Sequence, residues 1–356
     1  PAMSHPRLSL ALDAPDALPA AGRIALFRPT AATDLSDLPT ERLHAVQGFR
    51  PDWEALRARG IAADPAPEGP YAAAVVFLPR AKAEARAILA LACEVVVPGG
   101  PIWVDGLKTD GIDSMLRDLR ARLPVGEPIA KAHGKIFRLE AAHGALDDWK
   151  GHRTEVVPGF VTQPGVFSAD GVDRGSALLA AALPETLPAR MADIGAGWGW
   201  LAAQVLARKG VESLDLIEAE HAALDCARLN IPDPRAHFVW ADATVFKPEA
   251  RYTAAVMNPP FHSSRAADPA LGQAFIRAAA SMLSLSGTLW MVSNRHLPYE
   301  EALRAAFHEV TEIVPPGGPD GAFRLIRAER PIVQSAARPP APAVASPRRR
   351  LSRPRR

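Results

Sequence analysis

The second half of the chain alternates short apolar runs with longer stretches of helical spacing. Apolar runs at residues 191–194, 214–218, 237–240, 253–257 and 288–293 have the length and composition of strands. Helical spacing covers residues 201–209, 222–230, 274–283 and 299–307. Residues 310–314 and 323–328 can pair as a final antiparallel hairpin. This alternation predicts an α/β domain on a mainly parallel sheet.

The first half of the chain contains a weak echo of the second. The run Tyr-Ala-Ala-Ala-Val-Val from Tyr71 matches Tyr-Thr-Ala-Ala-Val-Met from Tyr252. Further on, Gly-Pro-Ile-Trp-Val from Gly100 matches Gly-Thr-Leu-Trp-Met from Gly287. The echo predicts an internal duplication, and therefore two tandem α/β domains. Two unrelated α/β domains of similar strand composition are the alternative.

The first copy lacks the polar residues that the second copy carries at its strand ends. In the register of the echo, Phe77 takes the place of Asn258 and Leu78 that of Pro259. The strand-like run at residues 24–27 is followed by no glycine-rich turn. We therefore expect the N-terminal domain to be a degenerate copy without its own chemistry.

Changes of pattern divide the 356 residues into three segments, 1–150, 151–331 and 332–356. The last is rich in Pro, Ala, Ser and Arg, so it cannot bury enough surface to offset its ordering entropy, and we expect a disordered tail. The tail holds no acid and seven arginines: Arg338, Arg348, Arg349, Arg350, Arg353, Arg355 and Arg356. It either adds salt-dependent phosphate affinity or is a passive, solvated extension.

Overall composition says little about partners, because the formal net charge is only +2. No run is long and apolar enough for a membrane helix, and we expect no secretion signal, because no charged segment leads into an apolar core near residue 1. Cys93 and Cys226 are far apart and outside any metal-ligand spacing, which is typical of reduced thiols. We expect a cytoplasmic protein without a metal. A monomer is favoured, although the sequence does not decide the oligomeric state.

A glycine-rich turn follows the first strand of the second segment. It runs Asp193-Ile-Gly195-Ala-Gly197-Trp-Gly199 and leads into a helix. Glycines there let the backbone turn tightly and approach a ligand, and the helix start favours an anionic group. Such a turn could serve a dinucleotide, but its GxGxG spacing differs from the GxGxxG fingerprint of dinucleotide sites.

Two acids close the next two strands and point to a nucleoside. Glu218 ends the second strand, where it can accept hydrogen bonds from ribose hydroxyls. Asp242 follows the third strand, where it can bind an adenine amino group. Both lie at carboxyl ends of strands, the edge where open α/β sheets bind ligands. Each acid could alternatively be a helix cap or a turn residue. Together with the glycine turn they favour S-adenosylmethionine as cofactor.

The fourth strand is followed directly by Asn258-Pro259-Pro260-Phe261-His262. Two prolines cannot continue a strand ladder, so they form a rigid turn with outward carbonyls. An aryl amine is a weak nucleophile, and methyl transfer to it needs acceptors for both amino hydrogens. The Asn258 side-chain oxygen and the Pro259 carbonyl can supply them and stabilise developing positive charge. A structural loop is the alternative.

The two aromatic residues of this turn are further candidates for contact with the substrate. Phe261 can stack on a base, a contact worth roughly 1–3 kcal/mol. His262 either contacts the substrate or caps the next helix. We expect no general base, because the amine can lose its proton to solvent after transfer.

With these motifs, the second segment resembles the bacterial small-subunit ribosomal RNA guanine-N2 methyltransferases. Four stretches carry the resemblance: Pro164-Gly-Val-Phe-Ser168 with Asp170-Gly and Asp173-Arg-Gly-Ser176, the glycine turn, Asn258-Pro-Pro-Phe-His262, and Gly321-Ala-Phe-Arg-Leu-Ile-Arg-Ala328. The first segment also resembles the family's N-terminal domain near residues 71–80 and before Trp149. The chain departs from the family at Ala196, Trp198, Glu218 and Arg324.

The resemblance implies a class I fold and methyl transfer from S-adenosylmethionine to guanine N2 in ribosomal RNA, with the RNA or small subunit as partner. It implies that the loop at residues 165–176 folds over cofactor or base. On it we expect Phe167 to bind substrate and Ser176 to bind cofactor. Pro260 and Arg324 are further substrate candidates. It also implies an N-terminal domain that supports folding and binds RNA.

Several alternatives share the Asn-Pro-Pro-aromatic turn. Large-subunit guanine, adenine N6 and a protein glutamine all present an amino group of similar geometry. The element at residues 165–168 and the two-domain length favour ribosomal RNA as the substrate. A catalytically silent RNA-binding or assembly protein is the non-enzyme alternative, against which the intact Gly195, Gly197, Glu218 and Asn258 argue.

Overall fold

The structure, a computed structural model, describes residues 6–260 and 269–332. The N-terminal half contains α1 (Pro6–Leu12), β1 (Ile24–Phe27), β2 (Leu43–Val46), α2 (Arg50–Ala58), β3 (Ala62–Asp64), β4 (Ala73–Phe77), α3 (Lys82–Val95), β5 (Pro101–Leu107), α4 (Ile112–Arg120), β6 (Ile129–Lys131) and β7 (Gly134–Glu140). Single 3-10 turns lie at Thr40–Arg42, Lys108–Asp110 and Asp147–Trp149.

The C-terminal half begins with a two-stranded hairpin, β8 (Thr154–Val157) and β9 (Phe160–Thr162). It continues with α5 (Arg174–Ala182), β10 (Arg190–Ile194), α6 (Trp200–Leu206), β11 (Ser213–Glu218), α7 (His221–Asn230), β12 (Ala236–Trp240), β13 (Tyr252–Met257), α8 (Pro269–Met282), β14 (Leu283–Asn294), α9 (Glu300–Ala306), β15 (Phe307–Ile313) and β16 (Phe323–Pro331).

Each half builds one seven-stranded sheet, and the two sheets have the same topology. The strand orders are β3-β2-β1-β4-β5-β7-β6 and β12-β11-β10-β13-β14-β16-β15. In both, five parallel strands are followed by an antiparallel pair. The register agrees as well, since Ile24 pairs with Ala73 where Met191 pairs with Ala254. The predicted tandem fold is therefore confirmed.

Both sheets are covered on both faces, which explains why their central strands are apolar throughout. All four residues of β1 are buried, and so are five of the six residues of β13. Separate apolar clusters lie on the two faces of each sheet. Packing on both faces leaves the strand ends and their loops as the places where polar side chains can collect.

The elements differ from the sequence prediction mainly at their ends. Helix α8 begins at Pro269 and β14 at Leu283, each five residues before its predicted start. The hairpin β8–β9 was not predicted, because its strands are short and partly exposed. Of the predicted tail, only Ile332 lies within the described residues. Cys93 and Cys226 are free and buried.

None of the helices in the described ranges has the length and apolar character needed to cross a membrane.

Candidate active site

The glycine turn after β10 takes the left-handed backbone that its glycines allow. Gly195, Gly197 and Gly199 have φ angles of 80°, 55° and 87°. A Cβ added to Gly199 would lie 2.8 Å from Ile231 Cδ1, so this glycine lets the turn pack closely on α7. A Cβ on Gly197 would meet no atom within 4 Å. The turn is therefore packed on one side and open to a ligand on the other.

Asp193, the second-last residue of β10, is buried without a full set of partners. The residue is 1% exposed, and its Oδ2 has no hydrogen-bond partner among the described residues. Burial, with the nearby Glu218 carboxylate, raises the pKa of Asp193 to about 8. An unpaired buried carboxyl is costly, and a cationic ligand group beside it would favour the ionised form.

Glu218, at the end of β11, joins the glycine turn to the next loop. Its Oε2 accepts a hydrogen bond from the Gly197 N–H at 2.8 Å, and its Oε1 accepts one from the Glu220 N–H at 2.7 Å. Burial raises the pKa of Glu218, although these N–H groups oppose the shift. The carboxylate is thus rigidly placed by backbone N–H groups, and it keeps acceptor capacity for a ligand hydroxyl.

Asp242 lies next to Glu218 along the same edge of the sheet. Its Oδ1 accepts hydrogen bonds from the Thr244 N–H at 2.8 Å and the Thr244 hydroxyl at 2.6 Å. The Ala241 N–H donates to the Glu218 carbonyl at 3.0 Å, which brings the two acids together. The capping alternative is therefore realised at one oxygen of Asp242, while its position beside Glu218 matches the prediction.

The amide of Asn258 is held in one orientation by two acceptors. Its Nδ2 donates to Asp173 Oδ2 at 2.8 Å and to Ser176 Oγ at 2.9 Å. A carboxylate can only accept, so the amide nitrogen must face Asp173 and Oδ1 must be the acceptor end. The main-chain oxygen of Asn258 is 4.0 Å from the place of a Cβ on Gly195. The Asn258 turn therefore lies beside the glycine turn.

A cavity at this edge brings six of the fourteen predicted residues together, while Glu218, Asp242 and Gly199 lie outside its lining. Its lining includes Phe167, Ser168, Asp173, Ser176, Asp193, Gly195, Gly197, Trp198 and Asn258. Phe167 is 57% exposed at its rim. The Trp198 indole donates to the Phe167 carbonyl at 3.1 Å, so the loop before α5 is fixed to the glycine turn. Trp198, a departure from the family pattern, thus shapes this cavity through the loop.

Other predicted residues lie at or beyond the margin of the cavity. Pro259 is buried and Pro260 exposed, directly after Asn258. Phe261 and His262 lie outside the described residues. Arg324, on β16, is not brought to the cavity: its Nε is 3.4 Å from Glu312 Oε2 on β15.

Asp173 was not predicted as a site residue, although it lines the cavity and contacts Asn258. Its carboxylate caps α5 by accepting from the Ser176 N–H at 2.8 Å and also accepts from the Asn258 amide. The spacing of Asp173 and Ser176 could have predicted the helix cap. The contact with Asn258 joins residues 85 positions apart, so no local pattern announces it.

One cluster of metal-ligand types also exists, in the first domain. His44, Asp64 and Glu68 place ligand atoms within 4.8 Å of one another. Both ring nitrogens of His44 already have partners, the Tyr71 hydroxyl and Asp64 Oδ2. We therefore interpret the cluster as a structural hydrogen-bond chain.

The strand order, the glycine turn and the acids after the next two strands define a class I methyltransferase. The residues fit S-adenosylmethionine, because Asp193 presents an unpartnered buried oxygen and Gly197 leaves open space.

Comparisons with known proteins agree with this class and narrow it. The model of the methyltransferase small domain family matches residues 158–318. Ribosomal RNA small subunit methyltransferase C of Shewanella oneidensis is 30% identical over 251 residues, which cover 68% of this chain and 73% of that protein. Its counterpart in Shewanella baltica strain OS155 is 30% identical over 257 residues, which cover 69% and 74%.

A solved structure resembles the whole fold. The 16S rRNA N2 G1207 methyltransferase of T. thermophilus, in complex with AdoMet and guanosine, superposes with a TM-score of 0.75. It is 25% identical, and the match covers 92% of this chain and 93% of that one. The chain belongs to the ribosomal RNA small subunit methyltransferase C family. The predicted family, enzyme class and cofactor, S-adenosylmethionine, are confirmed.

Proposed function

We propose that this protein transfers a methyl group from S-adenosylmethionine to the exocyclic N2 of a guanine in small-subunit ribosomal RNA. The observation that carries the proposal is the fixed amide of Asn258. Asp173 and Ser176 bind its nitrogen, so its oxygen is an acceptor beside the glycine turn. Relatives named for methylation of small-subunit ribosomal RNA support the choice of substrate.

The cofactor site is assigned from the strand ends. Asp193 binds the ammonium group of the cofactor, which supplies the cation that its buried carboxyl lacks. The turn of Gly195, Gly197 and Gly199 admits the methionine part. Glu218 accepts from the ribose hydroxyls and Asp242 from the adenine amino group. Ser176, between Asn258 and the helix cap, completes the site.

When bound, the cofactor supplies an electrophilic methyl group on a sulfonium. The chain's own residues prepare the amine. Asn258 Oδ1 and the Pro259 carbonyl accept the two amino hydrogens, orient the nitrogen and stabilise the positive charge that develops on it. The proton then leaves to solvent.

Five further residues are assigned to contacts with the substrate. Phe167, exposed at the rim of the cavity, and Phe261 stack on the base. Pro260 and His262 border the same turn. Arg324 lies outside the cavity and pairs with Glu312. We therefore assign it a contact with an RNA phosphate outside the cavity, for which the ion pair with Glu312 would have to break.

The division of labour follows the division of the chain. We assign catalysis to residues 151–331, and folding support and RNA binding to residues 1–150. The tail at residues 332–356 adds phosphate contacts. We place the reaction in the cytoplasm, where ribosomal RNA is assembled, with a monomer as the active unit.

Mass spectrometry of ribosomal RNA nucleosides tests the proposal. Cells without the protein should lose one N2-methylguanosine of the small subunit, and the wild-type protein but not Asn258→Ala should restore it. Loss of N6-methyladenosine or of a large-subunit mark would replace the proposed substrate. Unchanged nucleosides together with a subunit assembly defect would support the silent RNA-binding alternative.

A further inference from the structure

The first domain keeps the left-handed backbone at the first position of the glycine turn but places an arginine there. Arg28 follows β1 as Gly195 follows β10, and their φ angles, 59° and 80°, are both left-handed. A residue with a side chain is uncommon in this region of backbone space. The first copy therefore retains this one left-handed position, with a guanidinium where the second copy has a glycine.

This guanidinium reaches the second domain. Arg28 Nη1 donates to Glu220 Oε2 at 3.0 Å, and Arg28 Nε lies 3.3 Å from Glu84 Oε1. Burial alone would lower the pKa of Arg28, but the carboxylates of Glu220 and Glu84 outweigh it and raise the pKa. The arginine therefore stays charged and holds Glu220 with a charge-assisted hydrogen bond. Both residues line a cavity of about 510 Å³ between the domains.

The main chains of the two domains also pair at this point. The Arg50 N–H donates to the Ala219 carbonyl at 2.8 Å, and the His221 N–H donates to the Gly48 carbonyl at 2.9 Å. A Cβ on Gly48 would lie 2.6 Å from Glu220 Oε1, so an alanine here would push the Glu220 carboxylate out of its position. These bonds fix the loop after β11 against the loop after β2.

Trp240, the last residue of β12, extends the contact toward Asp242. Its indole N–H lies 3.0 Å from the Gly48 carbonyl and 2.8 Å from the Ala219 carbonyl, and donates to both. The Arg50 guanidinium lies 4.7 Å from the Trp240 ring centroid and 4.5 Å from that of Trp53. The strand that leads to Asp242 therefore also rests on the first domain.

The loop held in this way is the one that positions Glu218. Glu218 binds the Glu220 N–H on one side and the Gly197 N–H on the other. A continuous set of contacts thus runs from Arg28 through Glu220 and Glu218 to the glycine turn. Displacement of residues 219–221 would move the Glu218 carboxylate.

We propose that Arg28 and Gly48 of the first domain are positioning residues for the cofactor site of the second. They hold residues 218–221 in the conformation in which Glu218 meets the nucleoside part of S-adenosylmethionine. This inference rests on the proposed cofactor role of Glu218. The degenerate copy then sets cofactor affinity without binding cofactor itself.

Arg28→Ala and Gly48→Ala in the full-length protein test the inference. Each should raise the Kd for S-adenosylmethionine about tenfold, equivalent to about 1.4 kcal/mol. The kcat at saturating cofactor should stay within about twofold, because the acceptors at Asn258 are untouched. Titration calorimetry and steady-state kinetics measure the two effects.

Matched controls exist within the first domain. Arg122→Ala removes an arginine whose ion pair with Asp148 stays inside that domain. Gly126→Ala adds a Cβ at an ordinary 3.4 Å from the Arg138 carbonyl. Neither should change the Kd for the cofactor.

Three results separate positioning from mere stability. Arg28→Lys, which keeps the cation, should recover part of the affinity. Adding Glu220→Gln to Arg28→Ala should raise the Kd no further, since the two groups act as one contact. A lower melting temperature with an unchanged Kd in Arg28→Ala and Gly48→Ala would overturn the inference.

The Kd of Glu218→Ala for S-adenosylmethionine, measured in parallel, distinguishes a failure of this inference from a failure of the proposed cofactor site. If it weakens binding while Arg28→Ala and Gly48→Ala do not, only the inference is wrong. If Glu218→Ala itself leaves the Kd unchanged, the proposed cofactor assignment has failed.

Discussion

At the carboxyl edge of the second sheet, four strand-end positions carry a carboxyl, a glycine, another carboxyl and an amide. The register of the first sheet places an apolar residue, a cation, an uncharged amide and an aromatic ring at the same positions. The pairs are Asp193 and Leu26, Gly195 and Arg28, Glu218 and Gln47, and Asn258 and Phe77. The comparison teaches that the fold provides the edge, whereas chemistry depends on a few side chains set upon it.

Both copies contain a buried tyrosine whose hydroxyl is hydrogen-bonded to a side chain on another strand of the same sheet. The Tyr71 hydroxyl bonds to His44 Nδ1, and the Tyr252 hydroxyl donates to Asp215 Oδ2 at 2.6 Å. Both tyrosines are fully buried, and both reach from the fourth strand of their sheet to the second. The partner changed from acid to imidazole while the bond stayed, as expected of a contact required for folding.

The largest effect should come from the amide position. Asn258→Ala removes the acceptor for the amino group, so kcat should fall by roughly 10²–10³-fold, as for loss of one preorganised group. The Kd for S-adenosylmethionine should stay close to that of the wild type. Phe77→Ala, at the equivalent position of the first sheet, should leave kcat unchanged. Turnover of Asn258→Ala within a few-fold of wild type would show that the turn is not catalytic.

A smaller effect is expected at the end of β11. Glu218→Ala removes hydrogen bonds to a charged group, worth about 1.5–3 kcal/mol, so the Kd for the cofactor should rise about 10–100-fold. Titration calorimetry measures the change. Glu212→Ala, exposed at the other end of this stretch, is the matched control and should bind like wild type. Equal affinities for the two variants would refute the ribose assignment.

Asp193→Asn should show itself in the pH dependence of stability. The pKa of Asp193 is about 8 in the folded protein against about 3.9 in an unfolded chain. The folded state therefore binds the extra proton between these values, and wild-type stability falls as pH rises through this window. Asparagine does not titrate. The melting temperature of Asp193→Asn, relative to that of the wild type, should therefore rise as the pH increases from 4 to 8.

Thermal melting without cofactor, scanned across this pH range, measures the difference between the two proteins. A difference that does not change with pH would contradict the assignment of a protonated, buried Asp193. The stabilisation that S-adenosylmethionine confers on the wild type should be lost in the variant.

The smallest effects concern the shared tyrosines. Tyr252→Phe removes one buried hydrogen bond and should lower the free energy of unfolding by about 1 kcal/mol, whereas Tyr71→Phe removes two, with His44 Nδ1 and the Glu68 N–H, and should lower it by about 2 kcal/mol. Chemical denaturation measures both, and the Kd for the cofactor should not move. A catalytic defect in Tyr252→Phe without loss of stability would show that this pair is not structural.

Local patterns predicted much of this molecule because they report burial. The apolar runs at residues 191–194 and 253–257 became β10 and β13 with almost the predicted bounds, since central strands are buried on both faces. The glycine turn was also visible, because glycine is strongly favoured at its positive φ angles. The repeated Tyr71 and Tyr252 runs correctly indicated two sheets of one topology.

Contacts between distant residues could not be predicted in the same way. Asp173 and Asn258 are 85 positions apart, and Arg28 and Glu220 are 192 apart, so no spacing rule connects them. The resemblance made Arg324 a substrate candidate, but no local pattern predicted that its Nε would lie 3.4 Å from Glu312 Oε2 on the neighbouring strand. The charged residues that pair with each other are determined by the folded structure and not by local sequence.

The main-chain bridge between the domains has a consequence for the origin of the chain. Gly48 is equivalent to Ala219 and Arg50 to His221, so exchanging the copies turns one bridging bond into the other. Contacts with this property are isologous and form between identical subunits about a twofold axis. The two copies thus meet at the bridge with the local twofold symmetry that the duplication of one unit would leave, and the loop after the second strand of each copy rests on its equivalent in the other.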